Sequence, residues 1–321
     1  MPNDGSHSER ITVPVIYGPT ASGKTALSAL IAEADPTIEI ISADSCQIYR
    51  RLDIGAAKAD RSFRDRIPHH LIDILDPTER YSAGMFARDA AAAIRSIIER
   101  GRRPVIVGGT GFYLRALFEG LAAPPLDPKI ADTLARRLEV EGLDALRAEL
   151  LSLDPEVERT IDLSNREKIV RALGSIVQYG VSYSSHVDRE RMECVMRPIY
   201  LLIDPERAAL YAEIDRRVIT MVEDGLIEEV AALRREGVPD DAKGFRSVGY
   251  PDVIRMLDGE ITMEEMIASI QRNTRRFAKR QVTWMRTQIA AKGRSRIVSD
   301  FREGVEWYRR SLEDAPTNEK P

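Results

Sequence analysis

Eight consecutive residues, Gly18-Pro19-Thr20-Ala21-Ser22-Gly23-Lys24-Thr25, match the pattern G-x-x-x-x-G-K-[ST]. The glycines permit a tight turn that aims backbone N–H groups inward around an anion, and a helix that follows adds its positive end. Lys24 supplies a mobile charge, and the Thr25 hydroxyl can hold Mg²⁺ beside bound phosphates. Gly18, Thr20, Ala21, Ser22, Gly23, Lys24 and Thr25 are therefore the candidate phosphate-binding residues, with Thr25 the metal ligand. A phosphate cradle does not name its ester. The usual occupant is ATP or GTP, with a carboxylate on a neighbouring strand holding Mg²⁺ through water, and Asp44 stands in that place. An ATP-dependent small-molecule kinase is one reading; it requires further basic residues to clamp a transferring phosphoryl group.

A second feature is electrostatic. From Gln271 to Ser299 the chain has nine basic residues and no acidic one, although the whole carries a net charge of −4. Three- and four-residue steps put Arg272, Arg276 and Lys279 on one side of a helix, with Arg275 and Arg280 adjacent. Ile270, Phe277 and Trp284, seven residues apart, can face a core. Most charge runs are solvated faces laced by salt bridges. Here the segment has no acid to pair with, so a phosphate backbone is the better partner. A non-catalytic RNA-binding module would explain this helix but leave the phosphate loop idle.

The elements that must position these groups alternate along the first third. Ile11–Tyr17 (ITVPVIY), Ile38–Ser42 (IEIIS) and Arg103–Val107 (RPVIV) read as buried strands; Ala26–Ala34 and Ala87–Arg100 read as helices. Strand, glycine-rich turn, helix, strand is the pattern of a parallel sheet covered on both faces, an α/β core over residues 11–120. Ala122-Ala123-Pro124-Pro125 breaks the chain, and 121–196 reads as a helical insertion. Arg197–Asp204 (RPIYLLID) can return to the sheet, and amphipathic helices follow over Arg207–Arg235 and Met263–Ile289. Residues 1–10 read as a disordered tail and 301–321 as a loose one.

Composition narrows the class. The chain has 321 residues, 43% hydrophobic and 31% charged, enough for a substantial core and too apolar for disorder. Two cysteines, Cys46 and Cys194, cannot build a disulfide framework or a four-ligand zinc site. No stretch reaches the roughly 18 uninterrupted apolar residues that span a bilayer, and the N-terminus has no signal-peptide core. The expectation is a cytoplasmic protein, without membrane contact and monomeric.

Further motifs narrow the chemistry. Ser42-Ala43-Asp44-Ser45-Cys46-Gln47-Ile48-Tyr49 is followed by Asp53-Ile54-Gly55, Ala57-Lys58, Pro68-His69-His70-Leu71 and Tyr81-Ser82-Ala83 with Phe86. Then come Val107-Gly108-Gly109-Thr110-Gly111-Phe112-Tyr113, Val248-Gly249-Tyr250 and, over residues 274–284, TRRFAKRQVTW. Together with the phosphate loop, the series resembles the tRNA dimethylallyltransferase (tRNA isopentenyltransferase) family. The resemblance runs from about residue 13 to 290. It implies a P-loop NTPase-like α/β core and transfer of a dimethylallyl group from dimethylallyl diphosphate. The acceptor is the N6 amine of the adenosine 3′-adjacent to the tRNA anticodon. Diphosphate is then the leaving group, so a cradle with Mg²⁺ stabilises developing charge without nucleotide hydrolysis.

The resemblance also assigns roles. It makes Asp44 the general base that holds the adenine amine, in place of a metal-linked carboxylate, and Thr110 a positioning group opposite. Arg217, otherwise a solvated helix position, becomes a diphosphate ligand. Ser45, Cys46 and Gln47 form one tRNA-contacting segment, with Cys46 a packing or contact residue and not a reactive thiol. Arg246 and Tyr250 form a second, where Tyr250 stacks on an unpaired base unless it is simply buried. Arg275, Lys279, Arg280 and Gln281 in the basic helix, and Lys168 and Arg171 in the insertion, complete the tRNA set. The insertion departs from the family pattern: Lys168 replaces an arginine and loses its planar fork, Gly174 replaces an acid and should loosen the helix, and Ala131 replaces a basic residue.

Overall fold

In the computed structural model the apolar runs pair side by side as a parallel sheet. The structure describes residues 11–120, 126–184, 196–292, 295–298 and 300–313. The expected N-terminal tail, the Ala122–Pro125 break, Cys194 and the last eight residues lie outside the described residues.

The six strands are β1 (Ile11–Tyr17), β2 (Ile38–Ala43), β3 (His69–His70), β4 (Arg103–Gly108), β5 (Met196–Ile203) and β6 (Ser295–Val298). Their order is β3-β2-β4-β1-β5-β6, and every pairing is parallel. Val15 lies opposite Ile106 on one side and Tyr200 on the other, so β1 is central. That explains its β-branched, nearly all-apolar sequence: a strand covered on both faces buries every side chain. The loop between β1 and helix α1 (Lys24–Ala34), the residues after β2 and the glycines after β4 all leave the carboxyl edge of the sheet. That edge is where open parallel sheets gather ligands.

The chain forms two compact units. One holds the sheet, with the described residues of 11–81, 89–111 and 196–313. The other comprises residues 82–88 and the described residues between 112 and 184. The second unit therefore starts at Phe112 and takes in 82–88, earlier than the boundary expected at 121. Packing explains the difference: Phe86 stacks on Tyr113 with ring centroids 4.4 Å apart. Its own core gathers Leu134, Leu146, Leu150, Ile169 and Leu173 from helices over Pro128–Glu141, Leu143–Leu153 and Arg166–Tyr179. Side chains cap two of these helices, Asp127 accepting from the Lys129 N–H and Asn165 from the Lys168 N–H. The helix over 166–179 runs unbroken through Gly174, which is buried against Leu126. The loosening expected there is absent.

Two further expectations are corrected in the sheet unit. The single helix over 207–235 is two, Arg207–Glu223 and Leu226–Arg235, because Gly225 sits at φ 104°, a conformation that ends a right-handed helix. The loose tail is in fact a helix, Phe301–Glu313. Phe301, Val305 and Tyr308 recur at helical spacing and pack with Leu27, Ile31 and Leu201. Tyr308 donates to Asp35 Oδ2 at 3.0 Å, and Arg103 reaches the same oxygen at 2.7 Å. Among the described residues no helix is long and apolar enough to cross a membrane.

Candidate active site

The phosphate loop takes two left-handed residues, Ala21 at φ 61° and Gly23 at φ 84°, before α1 begins at Lys24. These turns let consecutive N–H groups face one side. Lys24 Nζ donates to the Gly18 carbonyl at 3.0 Å and the Pro19 carbonyl at 2.7 Å, so the ammonium lies over the loop it serves. Burial pulls its pKa down to about 8, with Asp44 opposing the shift and Arg217 adding to it. Ser22, 8% exposed, keeps a buried hydroxyl oxygen with no hydrogen-bond partner, against Gly18. An unsatisfied hydroxyl in a loop of inward N–H groups matches the needs of a phosphate oxygen.

Asp44 follows β2, and its Oδ1 accepts from the Cys46 N–H at 2.9 Å, fixing the turn. The neighbouring strand β4 ends at Gly108; Thr110 then donates its N–H to the Ala43 carbonyl at 3.1 Å. Thr110 Oγ1 accepts from the Ser45 N–H at 3.2 Å. Two sequence-distant turns are thus joined around Asp44. Lys24, Thr25, Asp44, Gln47 and Gly108 line one pocket at this edge. Arg217, on the Arg207–Glu223 helix, is half-buried and not solvated: burial lowers its pKa, while Asp44 and Glu213 hold the charge in place. One carboxylate therefore acts on two desolvated cations, an arrangement suited to a highly charged phosphate anion beside a proton acceptor.

Magnesium fits this donor set as an ion carried with phosphate. Mg²⁺ keeps most of its waters and takes one or two protein oxygens plus phosphate oxygens. Thr25 at the helix start could supply such an oxygen, and Asp44 lines the same pocket. Among the described residues no group of three or more His, Cys, Asp or Glu converges as a separate metal site.

Comparison with known proteins decides the lineage. The family model for IPP transferase matches residues 47–288, and that for isopentenyl transferase matches 11–66. The chain belongs to the IPP transferase family. A tRNA dimethylallyltransferase 1 from Trichlorobacter lovleyi is 45% identical over 280 residues, covering 87% of this chain and 92% of that protein. The full-length tRNA isopentenylpyrophosphate transferase of Bacillus halodurans is 34% identical in solved structure. Its TM-score is 0.66, over 94% of this chain and 95% of that one. A eukaryotic dimethylallyltransferase acting on tRNA, 24% identical, shares the fold with a TM-score of 0.82 over 97% and 81%.

The residues expected to meet RNA divide. Arg246, Lys279 and Arg280 are exposed, as is Arg276; none has an ion-pair partner among the described residues, and Arg280 lies 5.6 Å over the Phe277 ring. Lys168 is exposed and Arg171 half-buried. Arg275 differs: it pairs with Asp215 on the Arg207–Glu223 helix. A segment without acids is therefore not a segment without partners, because the acid arrives from 60 residues away. Phe277 and Trp284 are only half-buried; the buried stripe runs through Ile270, Ala278, Gln281 and Met285.

Tyr250 is not an exposed stacking platform. It is fully buried, and its hydroxyl donates to Glu229 Oε1 at 2.8 Å. The same carboxylate accepts from the backbone N–H groups of Asp53, Ile54 and Gly55, pinning the loop beyond Gln47. Gln47 also works internally, accepting from Ser42 Oγ and donating to the Ala56 and Ala57 carbonyls. Burial pushes the Cys46 thiol up to about 12, with the Asp44 charge reinforcing it, so the thiol is a packing group. Gln281 is buried, and its carboxamide is engaged inside the protein. The sequence did carry a signal for this: a glutamine stands in the apolar stripe between Ala278 and Met285, where a polar side chain must find an internal partner.

Proposed function

We propose that this chain transfers the dimethylallyl group of dimethylallyl diphosphate to the N6 amine of the adenosine 3′-adjacent to the anticodon in tRNA, releasing diphosphate. The observation that carries the reading is that Lys24 of the phosphate loop and Asp44 line one pocket at the carboxyl edge of β1 and β2, with the desolvated Arg217 acting electrostatically on the same carboxylate. Family membership supports it.

In the proposed step the C–O bond between the prenyl carbon and diphosphate breaks as the N6–C bond forms. The bonding pair leaves with diphosphate, and the N6 proton passes to Asp44. An exocyclic amine is a weak nucleophile, so a carboxylate that orients it and accepts its proton lowers the barrier. Lys24, the phosphate-loop N–H groups and Arg217 stabilise charge growing on the leaving oxygens, where fixed and desolvated donors act most strongly. Thr110, joined to the Ser45 N–H, holds the turn opposite. Thr25 would hold Mg²⁺ beside the diphosphate, where the ion would supply further charge neutralisation. The adenine reaches Asp44 by leaving the anticodon-loop stack, which is cheapest where the base is unpaired.

The test is incubation with radiolabelled dimethylallyl diphosphate and unmodified tRNA. The expected outcome is label in the RNA at one adenosine. Inorganic pyrophosphate should compete with the prenyl substrate, and ATP should compete more weakly, since phosphate is what the loop recognises and the walls restrict what is attached. ATP hydrolysis independent of tRNA, without label transfer, would overturn the reading in favour of a kinase.

A further inference from the structure

We propose that Gln281 is a positioning residue that sets the Pro19–Thr20 peptide of the phosphate loop, and through it Lys24, from a helix more than 250 residues away in sequence. Gln281 is 6% exposed, and its carboxamide spans two loops. Oε1 accepts from the Thr20 N–H at 2.8 Å, and Nε2 donates to the Gly109 carbonyl at 3.0 Å. The other end of the Pro19–Thr20 peptide is the Pro19 carbonyl, which accepts from Lys24 Nζ at 2.7 Å. A peptide unit is planar, so holding its N–H fixes the direction of its C=O. Gln281 therefore orients the carbonyl that receives the lysine.

The surroundings leave the side chain little freedom. A Cβ placed on Gly109 would lie 2.3 Å from Gln281 Nε2, and one on Gly111 would lie 2.1 Å from Trp284 Nε1, one turn further along the same helix. Both glycines are needed for the helix to come this close. The Gly109 carbonyl also accepts from the Tyr17 hydroxyl at 3.2 Å, at the end of β1, so the second anchor is itself fixed to the sheet. A single amide thus spans the phosphate loop and the turn that carries Thr110. Buried amides that use donor and acceptor in different directions define geometry more than they add stability.

The inference rests on the prenyl-diphosphate reading for its substrate, but its primary measurement does not. Binding of inorganic pyrophosphate with Mg²⁺ is followed by calorimetry for wild type, Gln281→Met and Gln281→Glu, alongside tRNA affinity, kinetics and melting temperature. Methionine keeps length and bulk but makes neither bond. Glutamate still accepts from Thr20, yet as a carboxylate it repels the Gly109 carbonyl; once protonated it can donate there. We expect pyrophosphate affinity and the prenyl-diphosphate KM to worsen at least tenfold in Gln281→Met, with tRNA affinity within twofold of wild type. The Gln281→Glu defect, taken as a ratio to wild type at each pH, should shrink between pH 8 and pH 6. Wild-type pyrophosphate affinity in both variants would overturn the proposal. A loss confined to tRNA affinity would do so too, by making Gln281 an RNA contact. Variants that melt below assay temperature and are not protected by pyrophosphate would make the residue purely structural and also end the proposal. A wild-type protein that binds pyrophosphate but transfers no label would sink the functional reading while leaving the Gln281 comparison intact.

Discussion

Two positively charged regions of the sheet unit use charge in opposite ways. At the phosphate loop, Lys24 and Arg217 are desolvated enough that both pKa values fall, and each faces Asp44. Along the 263–284 helix, Arg276, Lys279 and Arg280 stand in solvent without ion-pair partners among the described residues. A small anion is best held by a few cations in low dielectric, where each interaction is strong and geometry is fixed. A polyanion is best met by many exposed cations, each weak alone, whose effect comes from releasing counterions. The contrast teaches that a basic residue's role follows from its burial and its partners, not from local charge density. Arg275 makes the point inside one helix, since an acid from a neighbouring helix has already claimed it.

The largest test of the contrast removes the carboxylate that organises the buried site. Asp44→Asn keeps the shape but cannot take a proton, so single-turnover prenyl transfer should fall by about 10²–10⁴-fold. Pyrophosphate binding should survive. If chemistry is intact and binding of pyrophosphate with Mg²⁺ is lost instead, Asp44 is a metal-linked carboxylate. Lys24→Ala follows, costing about 2–4 kcal/mol at the barrier by comparison with other preorganised charge-stabilising groups. Its tRNA affinity should not change, and near wild-type turnover would remove Lys24 from the mechanism.

Desolvation gives the buried region a pH signature that the exposed helix lacks. Lys24 is charged below about pH 8 and neutral above it. Anion binding needs the charged form, so pyrophosphate affinity should fall as pH rises through that value. A bound anion raises the lysine pKa, so binding near pH 8 should take up protons, visible as a buffer-dependent enthalpy in calorimetry. A flat affinity from pH 7 to 9 with no proton uptake would show that Lys24 is not the group that titrates.

On the exposed side, replacing Arg276, Lys279 and Arg280 together by Ala should weaken tRNA binding. The salt dependence should flatten by up to about 0.7–0.9 of slope per lost phosphate contact. Arg275→Ala should flatten it much less, because its charge is already paired; equal slopes for the two variants would break the distinction. The smallest effect belongs to Tyr250→Phe. Losing one buried hydrogen bond to a carboxylate should cost about 1–2 kcal/mol of stability in denaturant unfolding, with tRNA affinity unchanged. A large loss of RNA binding without loss of stability would restore Tyr250 to the RNA surface.

Local sequence determined the phosphate loop, because its chemistry lies in eight contiguous residues and their backbone. It determined the parallel α/β core, since short runs rich in β-branched residues such as ITVPVIY and IEIIS suit strands covered on both faces. It also placed Asp44, one residue beyond a strand. Periodicity, however, reports which residues share a face and not what that face will meet. Only tertiary structure turned Arg217 toward Asp44, paired Arg275 with Asp215, buried Tyr250 on Glu229 and folded 301–313 onto the helix after the loop. Gln281 is the clearest case, its two partners lying 261 and 172 residues away. The physical reason is the same throughout. A side chain's desolvation and partners are set by what packs against it, and those neighbours come from segments that no local window contains.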